Sequence, residues 1–452
     1  MTRSTAVIFA GMVAFFATVV AFGPLPVLAV AGGVAGVILI LRFPVGAIYA
    51  LVVLLPFNAL VSQLAPGAVG TAYGAIKDAV VALLLLNALL SRRLSRVPSV
   101  VLALVTALVT VPLISGLLSP SLEQALYGWR NDYEPLLLLI VVPALVQATQ
   151  IPRLLLAIGI MAQVTASIAI VTWTRGIDWL LEIGRLPVGP GESFPTSLFS
   201  SGSLDPRAFS PYVAPNELAA AMLISLAVVW CAPDLRPIHR VLLTILPVSA
   251  ILVSESRSGL FGMVVLGAIL VSRALRKTSV MLSAGFLTMA AVSILSAATI
   301  YIGDALTNET DSSFGGHADS LQEGFRQIAL HPLGMGLGMV GPRAAQFDSS
   351  YHVESFWLLL ALESGPLVLA LFIALLATFV VRGFRSATPV GFLAVAAISA
   401  TLVSQLVLPT LQEGPVSFLL WLVVGLSVIA QGESHEEPPP IEREVRAQTK
   451  VH

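Results

Sequence analysis

The chain has 452 residues, of which 57% are hydrophobic and 11% charged, with a mean hydropathy of +0.92 and a formal net charge of −1. A soluble domain has about a quarter of its residues charged, so this composition excludes a soluble globular protein and indicates an integral membrane protein. The single cysteine, Cys231, excludes an internal disulfide framework and a multi-thiolate metal site.

Apolar runs of about 17 to 22 residues recur along the chain, and each is long enough to cross a hydrocarbon core of roughly 30 Å as a helix. They predict an all-α polytopic membrane protein of about fourteen transmembrane helices. The predicted spans are 5–22, 27–41, 45–64, 74–90, 100–118, 134–148, 154–173, 214–231, 241–254, 259–271, 280–300, 355–381, 389–408 and 416–430.

Basic residues alternate between loops in the way that the positive-inside rule requires for a cytoplasmic N-terminus. The predicted cytoplasmic loops hold Arg42, Arg92, Arg93, Arg96, Arg153, Arg236, Arg240, Arg273, Arg276, Lys277, Arg382 and Arg385. We therefore expect a multi-pass protein of the cytoplasmic (inner) membrane with both termini inside. Residues 1–430 form one transmembrane domain with extracytoplasmic loops at about 173–213 and 301–351, and residues 431–452 form a disordered cytoplasmic tail.

Of the arginines that remain on the predicted outer side, three at helix boundaries are candidates for holding an anion. Arg257 lies in a turn of a few residues, and its planar guanidinium suits phosphate oxygens; pairing with Glu255 is the alternative. Arg207 closes a long acidic segment, so an ordinary surface salt bridge competes with a ligand role. Arg130 is flanked by aromatic residues typical of the membrane interface, and Asp132 could neutralise it.

The predicted outer loop at 301–351 contains a helical pattern and then a glycine-rich run. Residues 317–330 have apolar positions at helical spacing, which indicates an amphipathic helix on the membrane surface. His317 falls on its apolar face and Arg326 on the opposite side. The run HPLGMGLG that follows allows close approach of backbone or ligand. It follows no strand and does not indicate a nucleotide fold, so we expect a tight re-entrant turn.

The chain then re-enters the membrane through Tyr351-His352-Val353-Glu354-Ser355. A carboxylate in the first turn of a helix is stabilised by the exposed amides, which is the structural explanation for Glu354. Apolar surroundings would instead raise its proton affinity and make it a general base. His352, two residues earlier, is the alternative base.

These stretches, in this order, resemble the O-antigen ligase and polymerase family of polytopic bacterial membrane proteins. The resemblance covers about 207–376 and lies in RAFSPYVAPNELAAAM, LVSESRSGLFG, HADSLQEGFRQIALHPLGMGLG and ESFWLLLALESGPLVLALF. The family usually has an arginine at the place of His317, and His-Asn at the place of Glu354-Ser355.

Members of this family transfer a glycan from a polyprenyl diphosphate carrier to an acceptor hydroxyl at the outer face of the membrane. The resemblance implies that Arg257 and Arg207 contact the diphosphate, and we add His317 and Arg130 as further candidates. Glu354 or His352 would accept the proton of the acceptor in an inverting displacement.

The partners implied by the resemblance are the lipid-linked donor, a glycan or lipid acceptor and membrane lipids, with no nucleic acid. No paired acidic motif, His cluster or thiolate set suggests a metal, and we expect no cofactor. Both a ligase and a polymerase remain open.

A flippase or polysaccharide transporter for the same lipid-linked sugars is the alternative function. It predicts ionisable residues near mid-membrane and repeated halves with broken helices. Lys77, Asp78 and Glu413 are the best such residues, and each can be placed near a helix end. A third possibility is a non-catalytic partner in an envelope complex, whose outer charges would tolerate substitution.

Overall fold

A computed structural model describes residues 24–58, 60–61, 68–183, 198–199, 206–276, 279, 281–285, 287–289, 292, 323–347, 351, 353, 355–412 and 414–433. Over these residues the chain is helical, and its only extended pairings are isolated bridges, so the all-α prediction is confirmed. The main helices are α1 (Pro24–Arg42), α2 (Pro44–Leu54), α3 (Ala68–Leu90), α4 (Ser99–Leu117), α5 (Leu122–Asp132), α6 (Leu138–Leu145), α7 (Ile151–Glu182), α8 (Pro215–Cys231), α9 (Pro237–Val253), α10 (Arg257–Leu275), α11 (Phe356–Ser364), α12 (Pro366–Arg385), α13 (Pro389–Val407) and α14 (Gly414–Glu433).

The lengths of these helices identify a multi-pass membrane protein. Within the described part of the chain, six are long and apolar enough to cross a membrane, or seven if the bent pair Gly33–Arg42 and Pro44–Phe57 is one span. Shorter apolar helices accompany them, among them Pro215–Cys231 and Pro237–Val253. The count of about fourteen stays a prediction, and its first span, 5–22, lies outside the described residues.

The predicted span at 355–381 is divided into two helices. Gly365 has a φ of +86° and Pro366 follows it, so α11 ends and α12 begins at a bend. With nine residues, α11 is too short to cross the membrane, and the span there is Pro366–Arg385. Of the predicted surface helix at 317–330, the structure describes 323–330 as helical, with Arg326 exposed.

The centre of the bundle is α13, which packs against α8, α10, α12 and α14. Helices α8 and α13 are rich in alanine and other small residues, which let helices approach closely where lipid supplies no hydrophobic drive. A Cβ at Gly262 of α10 would lie 2.6 Å from the Ala400 carbonyl oxygen of α13. Of the span Gly414–Gln431, 83% is buried inside the protein.

Several arginines gather at one end of the bundle, which we call the arginine end. Arg276 donates to the Phe384 carbonyl at 2.7 Å and Arg240 to the Ala232 carbonyl at 2.8 Å. These bonds satisfy carbonyls at the C-termini of α12 and α8. The last turn of α10 and the start of α9 lie at the same end, so the starts of α8 and α10 lie at the opposite end.

Candidate functional site

At the end opposite the arginine end, α9 and α10 are joined by a turn of three residues, Ser254 to Ser256. Glu255 takes a left-handed conformation, with a φ of +49°, which lets the chain reverse direction between the two helices. The Ser256 hydroxyl accepts a hydrogen bond from the Gly259 amide at 3.1 Å and so caps the start of α10.

The same serine connects α10 to α8. Ser256 Oγ donates to Asn216 Oδ1 at 2.6 Å. Because Gly259 has no side chain, the backbone of α10 can approach α8; a Cβ there would lie 2.7 Å from that of Ala219. The N-termini of α8 and α10 therefore lie side by side, and each contributes partial positive charge.

Arg207 lies against this turn and is half-buried. Its Nε donates to the Ser254 carbonyl at 2.9 Å and a terminal nitrogen to the Glu255 carbonyl at 3.2 Å. The Ala208 amide also donates to the Val253 carbonyl at 3.0 Å. Arg207 thus covers the C-terminus of α9, where a cation is favourable, and the structure brings it to the turn that precedes Arg257.

Arg257 is the first residue of α10, and its side chain is exposed. A cation at a helix N-terminus opposes the helix dipole, by about 0.3–1 kcal/mol at an exposed site. An anion bound at this point would reverse that penalty, because it would be attracted both by the guanidinium and by the positive end of the helix.

Below the turn, α8 begins with a buried carboxyl group. Glu217 lies in the first turn of α8 and is 4% exposed. Burial, and then the neighbouring Glu217, raise the pKa of Tyr212, whose hydroxyl has a hydrogen bond with the Thr165 side chain. Tyr212 and Glu217 are therefore neighbouring buried polar groups where the chain enters α8.

Arg130 belongs to a second group of charges. Asp78 of α3 forms ion pairs with both Lys77 and Arg130. Glu134 is 5% exposed and has a hydrogen bond with Asp78, and the Lys77 ammonium lies 4.0 Å from the centre of the Phe418 ring. Arg130 therefore has an ion-pair partner in Asp78, which belongs to a different helix from Asp132.

An open cavity of about 460 Å³ borders Arg130. Its wall also contains the edge-to-face pair Tyr127 and Phe347, whose ring centres are 5.6 Å apart. The short helix Thr410–Gln412 packs against both α5 and α8. It therefore connects the helix that carries Arg130 to the helix that begins at Pro215.

The glycine-rich run does not form an anion cradle at two of its glycines, because protein backbone already occupies the space. Gly334 has a φ of +89°, and a Cβ there would lie 2.4 Å from the Glu363 carbonyl oxygen. Gly338 has a φ of +71°, and its Cβ would lie 2.4 Å from the Gln124 carbonyl oxygen. The segment 331–341 is thus held between α5 and α11, which agrees with a tight turn.

His317, His352 and Glu354 lie outside the described residues, so their predicted roles remain predictions. Two neighbours of the expected base are described. Tyr351 pairs with Val340 in an isolated parallel bridge, and Ser355 Oγ donates to the Gln405 carbonyl at 3.4 Å. Among the described residues, no group of three or more His, Cys, Asp and Glu side chains is placed to hold a metal ion.

Residues 242–373 match the family model described as O-antigen ligase. The matched segment begins within α9 and includes Arg257, the glycine segment, α11 and the start of α12. The resemblance to the O-antigen ligase family is confirmed. Arg207 and Arg130 lie outside the segment that matches the O-antigen ligase model. No curated protein matches the chain.

Sequence reasoning missed two polar groups at this end of the bundle. Ser256 caps α10 and binds Asn216, and its position before a helical run was the available signal. Glu363 is buried in α11. It is the sole ionisable residue between Phe356 and Gly365, and an ionisable group in an apolar run is a functional candidate by default.

Proposed function

We propose that this protein transfers a glycan from a polyprenyl-diphosphate-linked donor to an acceptor hydroxyl at the outer face of the cytoplasmic membrane. The observation that carries the proposal is the cationic turn Ser254 to Ser256, where Arg207 binds two carbonyls of the turn and Arg257 follows it at the adjoining N-termini of α8 and α10. The match of residues 242–373 to the O-antigen ligase model supports the same class of reaction.

The donor's diphosphate would bind at the start of α10. Arg257 presents a planar fork of donors that fits phosphate oxygens, and the first amides of the helix add further positive potential. Arg207 would act beside it, while its bonds to Ser254 and Glu255 hold the turn in shape. His317 and Arg130 are the remaining candidates for contact with the anionic carrier.

In the chemical step, the acceptor oxygen would attack the anomeric carbon from the face opposite the diphosphate, which inverts that centre. A bond forms between the acceptor oxygen and the sugar, and the bond from the sugar to the diphosphate breaks. Glu354 or His352 takes the acceptor's proton, and the arginines stabilise the charge that develops on the leaving diphosphate. The reaction needs no nucleotide, because the donor is already activated, and we propose that it is metal-independent.

We propose that the arginine end faces the cytoplasm, because short cytoplasmic loops collect arginine and lysine. The turn that holds Arg257 then faces outward, at the level where a lipid-linked glycan is presented. About fourteen spans within 1–430, outer loops at about 173–213 and 301–351, and a cytoplasmic tail at 431–452 complete this arrangement.

One observation favours the alternative, a flippase for the same lipid-linked sugars. Lys77 and Asp78 lie inside the span Tyr73–Leu90, and charged groups within a span mark transport pathways in many membrane proteins. Asp78 is neutralised by Lys77 and Arg130, an arrangement that equally suits a structural ion-pair network.

The test is a transfer assay with purified protein, a polyprenyl-diphosphate-linked oligosaccharide and a set of acceptors. Wild type is compared with Arg257→Ala, Glu354→Gln and His352→Ala, and Arg175→Ala, an exposed arginine of α7, is the matched control. We expect product from wild type and from the control. We expect a loss of transfer activity in Arg257→Ala and in one of the two variants of the candidate base, Glu354→Gln or His352→Ala. Full activity in all three variants would remove the site assignment, and lipid transport without transfer would favour the flippase.

A further inference from the structure

A buried pair of carboxyl groups joins α5 to α11. Asp132 is the last residue of α5 and is 5% exposed, and Glu363 of α11 is 2% exposed. A side-chain hydrogen bond connects the two. Neighbouring carboxyl groups that are withdrawn from water disfavour ionising together, and one carboxyl can donate to the other only when it carries a proton.

The pair lies against the glycine segment, residues 331–341. Glu363 Oε1 accepts a hydrogen bond from the Val340 amide at 3.3 Å, and the Glu363 carbonyl accepts one from the Gly336 amide at 3.1 Å. From the other side, Gln124 Nε2 of α5 donates to the Gly338 carbonyl at 2.8 Å. The glycine segment is therefore fastened to both helices that the carboxyl pair joins.

The glycine segment in turn fixes the chain next to the predicted base. The Gly341 amide donates to the Tyr351 carbonyl at 2.9 Å, and Val340 and Tyr351 form a parallel bridge. Tyr351 directly precedes His352, Val353 and Glu354 in the sequence. A displacement of Val340 would therefore displace Tyr351, the residue directly before His352.

We propose that Asp132 and Glu363, sharing one proton, are positioning residues that hold the glycine segment and, through Tyr351, the segment that carries the catalytic base. This role rests on the proposed function, because it assumes that the base is Glu354 or His352. Neither carboxyl touches substrate in this account. They act by holding the backbone of the glycine segment in place.

The shared proton gives the arrangement a dependence on pH. Glu363 lies in α11, outside the span Pro366–Arg385, and burial, followed by the charge of Asp132, raises its pKa well above 4.5. Of the described groups, Asp132 and Tyr133 are the titratable side chains that face it. A raised pKa means that the folded state holds the proton more tightly than the unfolded chain. Its stabilising effect is complete below about pH 4.5 and declines as the pH rises from there towards the raised pKa.

The substitution Glu363→Gln keeps the size of the side chain and its hydrogen bonds but removes its titratable proton. Its amide NH₂ can donate to Asp132 at every pH, and its amide oxygen can still accept from the Val340 amide. Glu363→Leu removes both bonds at similar volume. Glu182→Gln, at an exposed carboxyl group of α7, is the matched control.

The experiment measures hydrogen exchange of residues 331–341 and thermal unfolding across a range of pH in detergent, together with the rate of glycan transfer. We expect exchange in this segment to be roughly tenfold faster or more in Glu363→Leu, since a buried bonding partner has been lost. In Glu363→Gln we expect the same protection from exchange and the same rate of transfer as in wild type. As the pH rises, both should fall less in this variant than in wild type. Glu182→Gln should match wild type throughout.

Wild-type protection of the glycine segment in Glu363→Leu would overturn the proposal. The proposal would also be overturned if exchange and unfolding of Glu363→Gln depended on pH as they do in wild type. This comparison can be made even if Glu363→Leu fails to fold. Exchange and unfolding need no substrate. If neither wild type nor any variant transfers a glycan, the proposed function is wrong. The pH dependence of hydrogen exchange still decides whether the carboxyl pair holds the glycine segment.

Discussion

The backbone of α5 lies close to the glycine segment at Gly128, and this position offers a sharp test of the packing. A Cβ at this position would lie 2.3 Å from the Gly338 nitrogen, 2.8 Å from the Gly338 Cα and 2.9 Å from the Leu337 carbonyl carbon. All three are backbone atoms, so no side chain can rotate away. Gly128→Ala must therefore push the glycine segment off α5.

The size of the effect follows from two opposing terms. Forcing an extra methyl into a well-packed site costs about 1–3 kcal/mol, and the backbone contacts place Gly128→Ala near the upper value. Alanine is favoured over glycine inside a helix by about 1 kcal/mol. We expect a net loss of about 2 kcal/mol, which lowers the ratio of folded to unfolded protein roughly 30-fold.

The matched control is Gly267→Ala in α10, where a Cβ would meet nothing within 4 Å. It receives the same helical gain without a clash and should be neutral or stabilised by up to about 1 kcal/mol. Unfolding of both variants is followed in one detergent, with transfer activity measured in parallel. Equal stability of Gly128→Ala and Gly267→Ala would refute the reasoning, because the predicted difference of about 3 kcal/mol comes from the contact with the glycine segment.

Three further substitutions test the charged and capped positions. Ser256→Ala removes the cap of α10 and the bond to Asn216, so unfolding in detergent should show a loss of about 1–2 kcal/mol; an unchanged melting curve would contradict the cap. Arg207→Lys can reach one of the two carbonyls at the end of α9, and its melting temperature should fall between those of wild type and Arg207→Ala; a value equal to Arg207→Ala would argue against the hydrogen-bond role. Asp78→Asn leaves Lys77 and Arg130 without their shared anion, and a loss of about 1–3 kcal/mol is expected; a stabilised protein would show that the cluster has another organisation.

Hydropathy located most helices because lipid demands long apolar runs in which the backbone bonds to itself. The predicted starts and ends of α4, α8 and α13 agree with the structure to within one residue, whereas α3 ends as predicted but begins six residues earlier. The bend at Gly365 was not predicted, because hydropathy is continuous across it. Only the positive φ of Gly365, followed by proline, ends α11 there.

The candidate site was predicted in its parts but not in its pairings. The sequence analysis gave Asp132 as a group that could neutralise Arg130, but residues two apart on a helix do not face each other. Arg130 meets Asp78, and Asp132 meets Glu363. Likewise, the bond from Arg207 to Ser254 joins residues 47 apart in the chain. Such contacts depend on how whole helices pack, and no local spacing in the sequence encodes them.

The central claim is that the turn before α10 binds the diphosphate of a lipid carrier. The most direct measurement is equilibrium binding of a short-chain polyprenyl diphosphate without a sugar, to wild type, Arg257→Ala and Arg175→Ala in the same detergent. Loss of a charge-assisted contact with phosphate should weaken binding to Arg257→Ala about tenfold or more, which corresponds to about 1.4 kcal/mol, and leave Arg175→Ala unchanged. Equal affinity of wild type and Arg257→Ala would contradict the account.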